Sequence, residues 1–205
     1  MSRVMPPHYL QPYSAAAQRF GGGFGSLLWA SPKTQRARFD ALVRLADFGV
    51  ARILDLGCGR CDLLDYLLAR SIVPAQYIGV EAIAPLADAA RGRNFASTTV
   101  IDGDFIKNPS LMNQRADVIV FSGSLNTLEP KQFYLTLDAA FAATTDTLVF
   151  NFLSTPLLAG KPFLHWHHPE DVAEFARGLT PDVRYVNDYL DGDCTLMMRK
   201  NSEHQ

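Results

Sequence analysis

Short apolar runs alternate along the chain with segments whose apolar residues recur at helical spacing. The first run, Ile53-Leu54-Asp55-Leu56, precedes leucines at such spacing, which predicts a buried parallel strand, a glycine turn and a helix. This alternation predicts an α/β fold. Further strands are predicted at 76–81, 97–102, 116–121 and 147–152, and helices at 31–49, 85–91, 130–143 and 169–178. Residues 183–200 predict two more strands around Asp191-Gly192, a hairpin signal.

The N-terminal part, residues 1–30, is predicted to be irregular. Three prolines interrupt any early helix, and a glycine-rich stretch at 21–25 adds flexibility. We interpret 1–30 as a flexible N-terminal segment and 31–205 as a single domain. Its aromatic residues could form a lid that closes over a ligand and excludes water, and the alternative is a loose tail. The residues behind this interpretation are Pro6, Pro7, Pro12, Tyr9, Tyr13, Phe20, Phe24 and Trp29.

A helix is expected to begin at Ser31-Pro32, with serine as the N-cap and proline in the first turn, and to end at Gly49. Its apolar face contains Phe39 and Leu42. Gln35 lies within this apolar stripe and Arg38 at its border, apart from the charged face. Polar groups beside a buried face need partners.

The turn after the first strand contains Gly57 and Gly59, which allow close approach of the backbone to a ligand. A dinucleotide site would have a third glycine where this chain has Asp62, and a carboxylate there would repel a pyrophosphate. A nicotinamide oxidoreductase is therefore disfavoured. Glu81 follows the turn by about 20 residues, where an acid accepts hydrogen bonds from ribose hydroxyls.

The pattern Asp55-x-Gly57-x-Gly59 resembles the first motif of class I S-adenosylmethionine-dependent methyltransferases, with Cys61 in place of the usual third glycine. The likeness runs from about residue 27 to 200, to a bacterial branch without an assigned acceptor. It implies a Rossmann-like, doubly wound, mostly parallel seven-stranded sheet with a C-terminal antiparallel hairpin. It also implies S-adenosylmethionine as cofactor, S-adenosylhomocysteine as product, and no metal.

The resemblance and the strand ends together predict the cofactor site. The turn should hold the amino-acid end of the cofactor, Glu81 its ribose, and Asp104 its adenine amino group, with Phe105 over the ring. Arg38 is expected to pair with the cofactor carboxylate. The complete predicted set is Asp55, Gly57, Cys58, Gly59, Glu81, Ala82, Gly103, Asp104, Phe105, Ser122, Gly123, Arg38, Gln35 and Trp29.

The long connection 153–169 is expected either to form a wall for the methyl acceptor or to be an inert surface loop. It contains His165, His167 and His168, but no carboxylate or cysteine is local, so a metal site is disfavoured. A catalytic base is optional when the acceptor nucleophile is already deprotonated or a neutral amine. The acceptor-side candidates are His165, His167, Tyr189 and Asn126.

Composition narrows the partners and the setting. The net charge of −2 gives no electrostatic reason to expect nucleic acid or an anionic membrane, so a small-molecule acceptor is favoured. Three cysteines do not make a disulfide framework, and no apolar signal core or membrane span is present, so a cytoplasmic location is expected.

Two alternatives stay open: a non-catalytic S-adenosylmethionine-binding module, and a thiol–disulfide protein based on Cys58-Gly-Arg-Cys61. Thiols in this position can have lowered pKa values, and a disulfide across the turn would block the cofactor. The competing interpretation is that both are small, buried and inert.

Overall fold

The computed structural model describes residues 5–157 and 160–201 and contains one seven-stranded sheet. The strand order is β3-β2-β1-β4-β5-β7-β6. The first five strands run parallel, and β7 lies antiparallel between β5 and β6. The predicted Rossmann-like sheet with a C-terminal antiparallel hairpin is confirmed. The strands are β1 (Arg52–Leu56), β2 (Gln76–Glu81), β3 (Thr98–Asp102), β4 (Val118–Phe121), β5 (Thr147–Leu153), β6 (Asp182–Val186) and β7 (Asp193–Arg199).

In the described part of the chain, six α-helices accompany the sheet, with 3-10 turns at His8–Leu10, Phe24–Leu27 and Pro109–Met112. The prediction that residues 1–30 are irregular is wrong for the described residues 5–30, because a helix covers Gln11–Phe20, and residues 1–4 lie outside the described part. Pro12 lies in its first turn, where the missing N–H leaves no bond unmade. The helices are α1 (Gln11–Phe20), α2 (Pro32–Leu45), α3 (Asp62–Leu68), α4 (Ala84–Gly92), α5 (Pro130–Ala143) and α6 (Pro169–Arg177).

Helix α2 begins as predicted and ends earlier. The hydroxyl of Ser31 accepts from the N–H of Thr34, and the hydroxyl of Thr34 accepts from the N–H of Ser31, both at 3.1 Å, which forms a capping box. The helix stops at Leu45 because Ala46 is extended, so Gly49 is not its C-terminal residue. The hairpin connection also differs from the predicted tight turn, since it spans residues 187–192.

Alternate side chains of each central strand enter two separate cores. In β1, Leu54 contributes to the larger cluster and Ile53 to the smaller one on the opposite face. In β4, Ile119 and Val120 divide in the same way. With both faces covered, ligands can reach the sheet at the carboxyl ends of its strands, and β1 and β4 diverge there. Among the described residues, no helix combines the length and apolar character needed to cross a bilayer.

Candidate active site

A cavity of about 760 Å³ opens at the carboxyl ends of the parallel strands. Its walls come from the N-terminal segment, the glycine turn, the ends of β2 to β5, and the connection after β5. This volume is within the range of ligand pockets, about 300–1,000 Å³. Eleven of the predicted site residues line it: Trp29, Arg38, Gly57, Gly59, Glu81, Ala82, Asp104, Phe105, Ser122, Gly123 and Asn126.

A second pocket of about 30 Å³ lies behind the glycine turn. It is lined by Gln35, Asp55 and Cys58, and shares Trp29 and Ser122 with the larger cavity. Together the two pockets contain most of the predicted cofactor set. Within the described part of the chain, four predicted residues line neither pocket, namely Gly103, His165, His167 and Tyr189.

The glycine turn has a backbone that other residues would strain. Gly57 and Gly59 have φ angles of +81° and +56°. A Cβ on Gly57 would lie 2.5 Å from the Cβ of Ser124, and a Cβ on Gly59 would lie 2.6 Å from Cδ2 of Leu27. The N-terminal segment therefore packs directly on the turn. Both glycines are required by conformation and by space.

Glu81 supports this turn from the end of β2. Its Oε2 accepts a hydrogen bond from the N–H of Gly59, and its Oε1 accepts from the N–H of Ile83, both at 2.8 Å. The side chain is buried, and burial raises the pKa of Glu81 to about 7 against the lowering effect of these backbone donors. Each oxygen retains a lone pair for a further donor.

Asp55 is buried at the end of β1 beneath the same turn. Its Oδ2 accepts from the hydroxyl of Tyr77, while its Oδ1 has no hydrogen-bond partner within the described residues. Burial raises the pKa of Asp55 to about 7. The buried hydroxyl of Ser122 is also unpartnered in the described chain. Unsatisfied polar atoms of this kind are uncommon in folded proteins and need an explanation.

Asp104 is held by three donors from the described chain. Its Oδ2 accepts from the hydroxyl of Tyr9 at 2.8 Å, and its Oδ1 accepts from the N–H groups of Ile106 and Lys107. The sequence indicates Tyr9 only as an aromatic residue of the lid and does not reveal this contact. Tyr9 and Tyr13 are four residues apart and both line the cavity, a spacing that could have indicated a shared face.

Arg38 forms a buried ion pair with Asp193 that the sequence did not reveal. Its Nε donates to Oδ2 of Asp193 at 2.6 Å, and its guanidinium lies 4.7 Å from the ring of Trp29. Gln35 donates to Oδ2 of Asp62 at 3.3 Å. Both polar residues of the apolar stripe therefore have protein partners, and Arg38 also lines the cavity.

His165, His167 and Tyr189, which were predicted for the acceptor side, line neither pocket. His167 stacks on Phe133 with ring centroids 3.9 Å apart, and burial lowers the pKa of His167 to about 4. His165 is joined to the β4 loop through its backbone N–H. The hydroxyl of Tyr189 donates to Oδ1 of Asp193 at 2.7 Å. The two histidines are held by backbone bonds of the connection after β5 to Asn126 and Leu153, and Tyr189 is held by Asp193 in β7.

Asn126 does line the cavity, with its Oδ1 accepting from the N–H of Leu153 at 3.3 Å. The surrounding acceptor-side wall is mainly apolar. Its cation is Lys161, whose Nζ lies 5.7 Å from the ring centroid of Phe163. The residues of this wall are Thr127, Leu128, Leu153, Leu157, Gly160, Lys161, Phe163, Leu164, Leu190 and Asp191.

The thiols of Cys58 and Cys61 are free and buried. A hydrogen bond with Cys61, together with burial, raises the pKa of Cys58 well above its usual value. The expectation that position at a helix start lowers this pKa is wrong, because the pair is sealed under Gly79 of β2. A Cβ on Gly79 would lie 2.6 Å from the sulfur of Cys58.

Part of the chain is similar to a known protein family. Residues 53–146 match the family described as a methyltransferase domain. No curated protein matches the chain.

Several solved structures share the fold at low identity. Magnesium protoporphyrin IX methyltransferase (ChlM) from Synechocystis PCC 6803, with bound S-adenosylhomocysteine, is 12% identical with a TM-score of 0.63, over 82% of this chain and 83% of that one. The DhpI–S-adenosylhomocysteine complex is 14% identical with a TM-score of 0.67, over 93% and 94%. The small RNA methyltransferase HEN1 is 16% identical with a TM-score of 0.64, over 84% and 26%.

The matched segment begins in β1 and includes the glycine turn, Glu81, Asp104 and Ser122, so the family match covers the ends of β1 to β4 beside the cavity. The strand order, with β7 antiparallel between β5 and β6, is the arrangement that the resemblance implied. The chain therefore has the class I fold of the S-adenosylmethionine-dependent methyltransferases, and its residues 53–146 match a methyltransferase domain.

Proposed function

We propose that this chain transfers a methyl group from S-adenosylmethionine to a small, predominantly apolar acceptor. One observation carries the proposal: Oδ1 of Asp55 and the hydroxyl of Ser122, which lack partners within the described chain, lie in the pockets beside the glycine turn. Unsatisfied groups at such a position are explained by a polar ligand that completes their hydrogen bonds.

The amino-acid end of the cofactor fits beside the glycine turn. Oδ1 of Asp55 is a free acceptor for an ammonium group, and the hydroxyl of Ser122 can donate or accept. Gly57 and Gly59 give the approach that such contacts need, because they carry no side chain of their own and both line the cavity. In this arrangement Arg38 and Trp29 form the outer wall, with Gln35 and the backbone of Cys58 next to the smaller pocket.

The nucleoside end fits along the ends of β2 and β3. Glu81 retains lone pairs for ribose hydroxyls while it holds Gly59 and Ile83. Asp104 accepts the adenine amino group in the proposal, and Ala82 and Phe105 are the apolar neighbours of the ring. Gly103 contributes by the shape of the chain, since a Cβ there would lie 2.5 Å from Cδ1 of Leu111.

When bound, the cofactor supplies a methyl group on a sulfonium, which an acceptor nucleophile displaces in line to leave S-adenosylhomocysteine. The protein contributes orientation and a dry site. Leu27, Trp29 and Tyr13 cover the glycine turn and Gly123, and the hydroxyl of Tyr13 donates to the carbonyl of Gly123 at 3.3 Å. We propose that residues 1–30 act as a lid over this site.

The acceptor side favours an apolar molecule. Leucines line this wall, and the mouth includes Phe20 and Leu157, which are 48% and 88% exposed. Lys161 supplies a cation at the same wall, suited to one polar or anionic group. ChlM is named for a porphyrin substrate and HEN1 for small RNA. The net charge of −2 supports the small-molecule alternative here.

No side chain on this wall is assigned as a catalytic base, so the proposed acceptor presents a nucleophile that is already deprotonated or a neutral amine. The proposal includes a cytoplasmic setting, which suits three free cysteines.

Transfer of labelled methyl from S-adenosylmethionine tests this function. The wild-type protein is incubated with a metabolite extract and, separately, with total RNA. Label in small molecules supports the proposal, whereas label confined to RNA overturns the acceptor class. Binding of S-adenosylhomocysteine without transfer to either pool would favour the non-catalytic binding module. An absence of binding, with thiol–disulfide exchange instead, would favour the redox alternative.

A further inference from the structure

Tyr9 and Asp104 join the N-terminal segment to the end of β3. The hydroxyl of Tyr9 donates a 2.8 Å hydrogen bond to Oδ2 of Asp104, across 95 positions of sequence. The other oxygen, Oδ1, accepts from the N–H of Ile106 at 3.0 Å and of Lys107 at 3.3 Å. Backbone donors thus hold one carboxylate oxygen, and a single side-chain hydroxyl holds the other.

Tyr9 is placed firmly enough to fix this oxygen. Its ring is buried within the larger core cluster, and both residues line the cavity. Burial and the adjacent Asp104 raise the pKa of Tyr9, so its hydroxyl keeps its proton at neutral pH and remains a donor. The bond therefore has one direction, from Tyr9 to Asp104, which leaves a second lone pair on Oδ2.

We propose that Tyr9 is a positioning residue that sets the selectivity of this site for an adenine base. The inference rests on the proposed function, in which Asp104 accepts the adenine amino group. An ionised carboxylate accepts hydrogen bonds and donates none. It pairs with the amino group of adenine and repels the carbonyl oxygen that hypoxanthine has in the same place. Tyr9 fixes Oδ2 in the orientation that makes this distinction.

Calorimetry with two ligands tests the inference. The probes are S-adenosylhomocysteine and S-inosylhomocysteine, which differ in adenine against hypoxanthine. Wild type should prefer the adenine ligand by about ten- to a hundredfold, the range for a hydrogen bond to a charged group. Tyr9→Phe retains the ring and removes the hydroxyl. It should weaken binding of the adenine ligand about three- to tenfold and weaken binding of the hypoxanthine ligand less. The ratio of the two affinities should therefore decrease.

Tyr13→Phe is the matched control, because it removes a hydroxyl from the same segment that bonds to the carbonyl of Gly123 instead. It should weaken binding of both ligands by a similar factor and leave the ratio of the two affinities unchanged. A double-mutant cycle in an Asp104→Asn background adds a second test. There, Tyr9→Phe should change affinity for S-adenosylhomocysteine less than twofold, since Tyr9 acts through Asp104.

Several outcomes overturn the role of Tyr9 while leaving the proposed function intact. One is an equal loss for both ligands in Tyr9→Phe, which would make Tyr9 a tether of the N-terminal segment alone. Others are an unchanged preference, or a full effect in the Asp104→Asn background. If wild type binds neither ligand, the proposed function fails and this inference fails with it.

Discussion

Arg38 in α2 and Asp193 in β7 form an ion pair that is almost fully removed from solvent. The side chains are 10% and 0% exposed, and Oδ2 of Asp193 accepts from both Nε and Nη2 of Arg38. The pair connects a helix, the C-terminal hairpin and, through Trp29, the N-terminal segment. The sequence-based expectation that Arg38 binds the cofactor carboxylate stays a prediction, now with Asp193 as a competing partner for its charge.

Removing one member of this pair should destabilise the protein strongly. Arg38→Met or Asp193→Leu leaves a buried charge without its partner, which typically costs about 3–5 kcal/mol. The double variant should lose much less than the sum of the two, because it leaves no buried charge. Urea unfolding measures all three. Arg44→Met is the control, since its pair with Asp188 is solvent-exposed and should matter far less. Additive losses in the double variant would contradict this account.

Glu81→Ala should weaken binding of S-adenosylhomocysteine about ten- to a hundredfold, the typical loss for a charge-assisted hydrogen bond. The substitution removes the proposed ribose contact and also frees the N–H groups of Gly59 and Ile83. Calorimetry gives the affinity. Glu174→Ala, an exposed acid in α6, is the control and should bind as wild type does. Equal affinity of Glu81→Ala and wild type would remove Glu81 from the site.

The elements that the sequence predicted depend on local signals. An apolar run such as Ile53–Leu56 is typical of a parallel strand that is buried on both faces. Gly57 and Gly59 predict the turn that follows it, because both have positive φ angles. Pro12 led to a wrong prediction because the effect of a proline depends on its position in a helix. Proline breaks the interior of a helix but is favourable in its first turn, where Pro12 lies.

The residues that contact the site residues come from segments far away in the sequence, and no local sequence pattern predicts these contacts. Arg38 finds Asp193 at a separation of 155 residues, and this pairing could not be read from either segment. His167 occurs in a polar stretch, yet its ring packs on Phe133 in the core, because the connection after β5 folds back to Leu153. The positions of Gln35 and Arg38 beside the apolar face of α2 did predict that both side chains have partners, although not which residues these are.

The two acids beneath the turn should make stability depend on pH. Burial raises the pKa of Asp55 from 3.8, and of Glu81 from 4.5, to about 7. The native state therefore binds these protons more tightly than the unfolded state. The contribution of these two groups to the free energy of unfolding should be greatest below pH 4. It should fall as the pH rises to 7, by about 1.4 kcal/mol for each unit by which folding raises a pKa.

Asp55→Asn tests this pH dependence, because the amide cannot ionise. The variant should lose part of the slope between pH 5 and pH 8 and should gain stability relative to wild type at pH 8. Urea unfolding at pH 5, 6.5 and 8 provides the measurement. Asp138→Asn, an exposed position in α5, should retain the wild-type slope. A wild-type slope in Asp55→Asn would show that Asp55 ionises normally in the native protein.

Gly123→Ala should displace Trp29 from the turn. The new Cβ would lie 2.9 Å from Cη2 of Trp29, and the φ of +78° is unfavourable for alanine. We expect tryptophan emission to shift to the red. Affinity for S-adenosylhomocysteine should fall about tenfold, which is about 1.4 kcal/mol, because Trp29 and Gly123 line the same cavity. Gly92→Ala in α4 has open space and should change neither readout. Unchanged emission would mean that the N-terminal segment adapts to the added methyl.

The thiol pair should be inert in the native protein. Cys58 is 7% exposed and Cys61 is fully buried, and the raised pKa of Cys58 keeps it in the thiol form, which is neither nucleophilic nor readily oxidised. An aromatic disulfide reagent should therefore modify these cysteines at about the rate of global unfolding.

Diamide should leave the affinity for S-adenosylhomocysteine unchanged in wild type and in Cys61→Gly. The glycine variant also relieves the φ of +57° at this position, so it should fold. Rapid modification of native wild type, with affinity lost on oxidation and restored by dithiothreitol, would instead make the turn redox-sensitive.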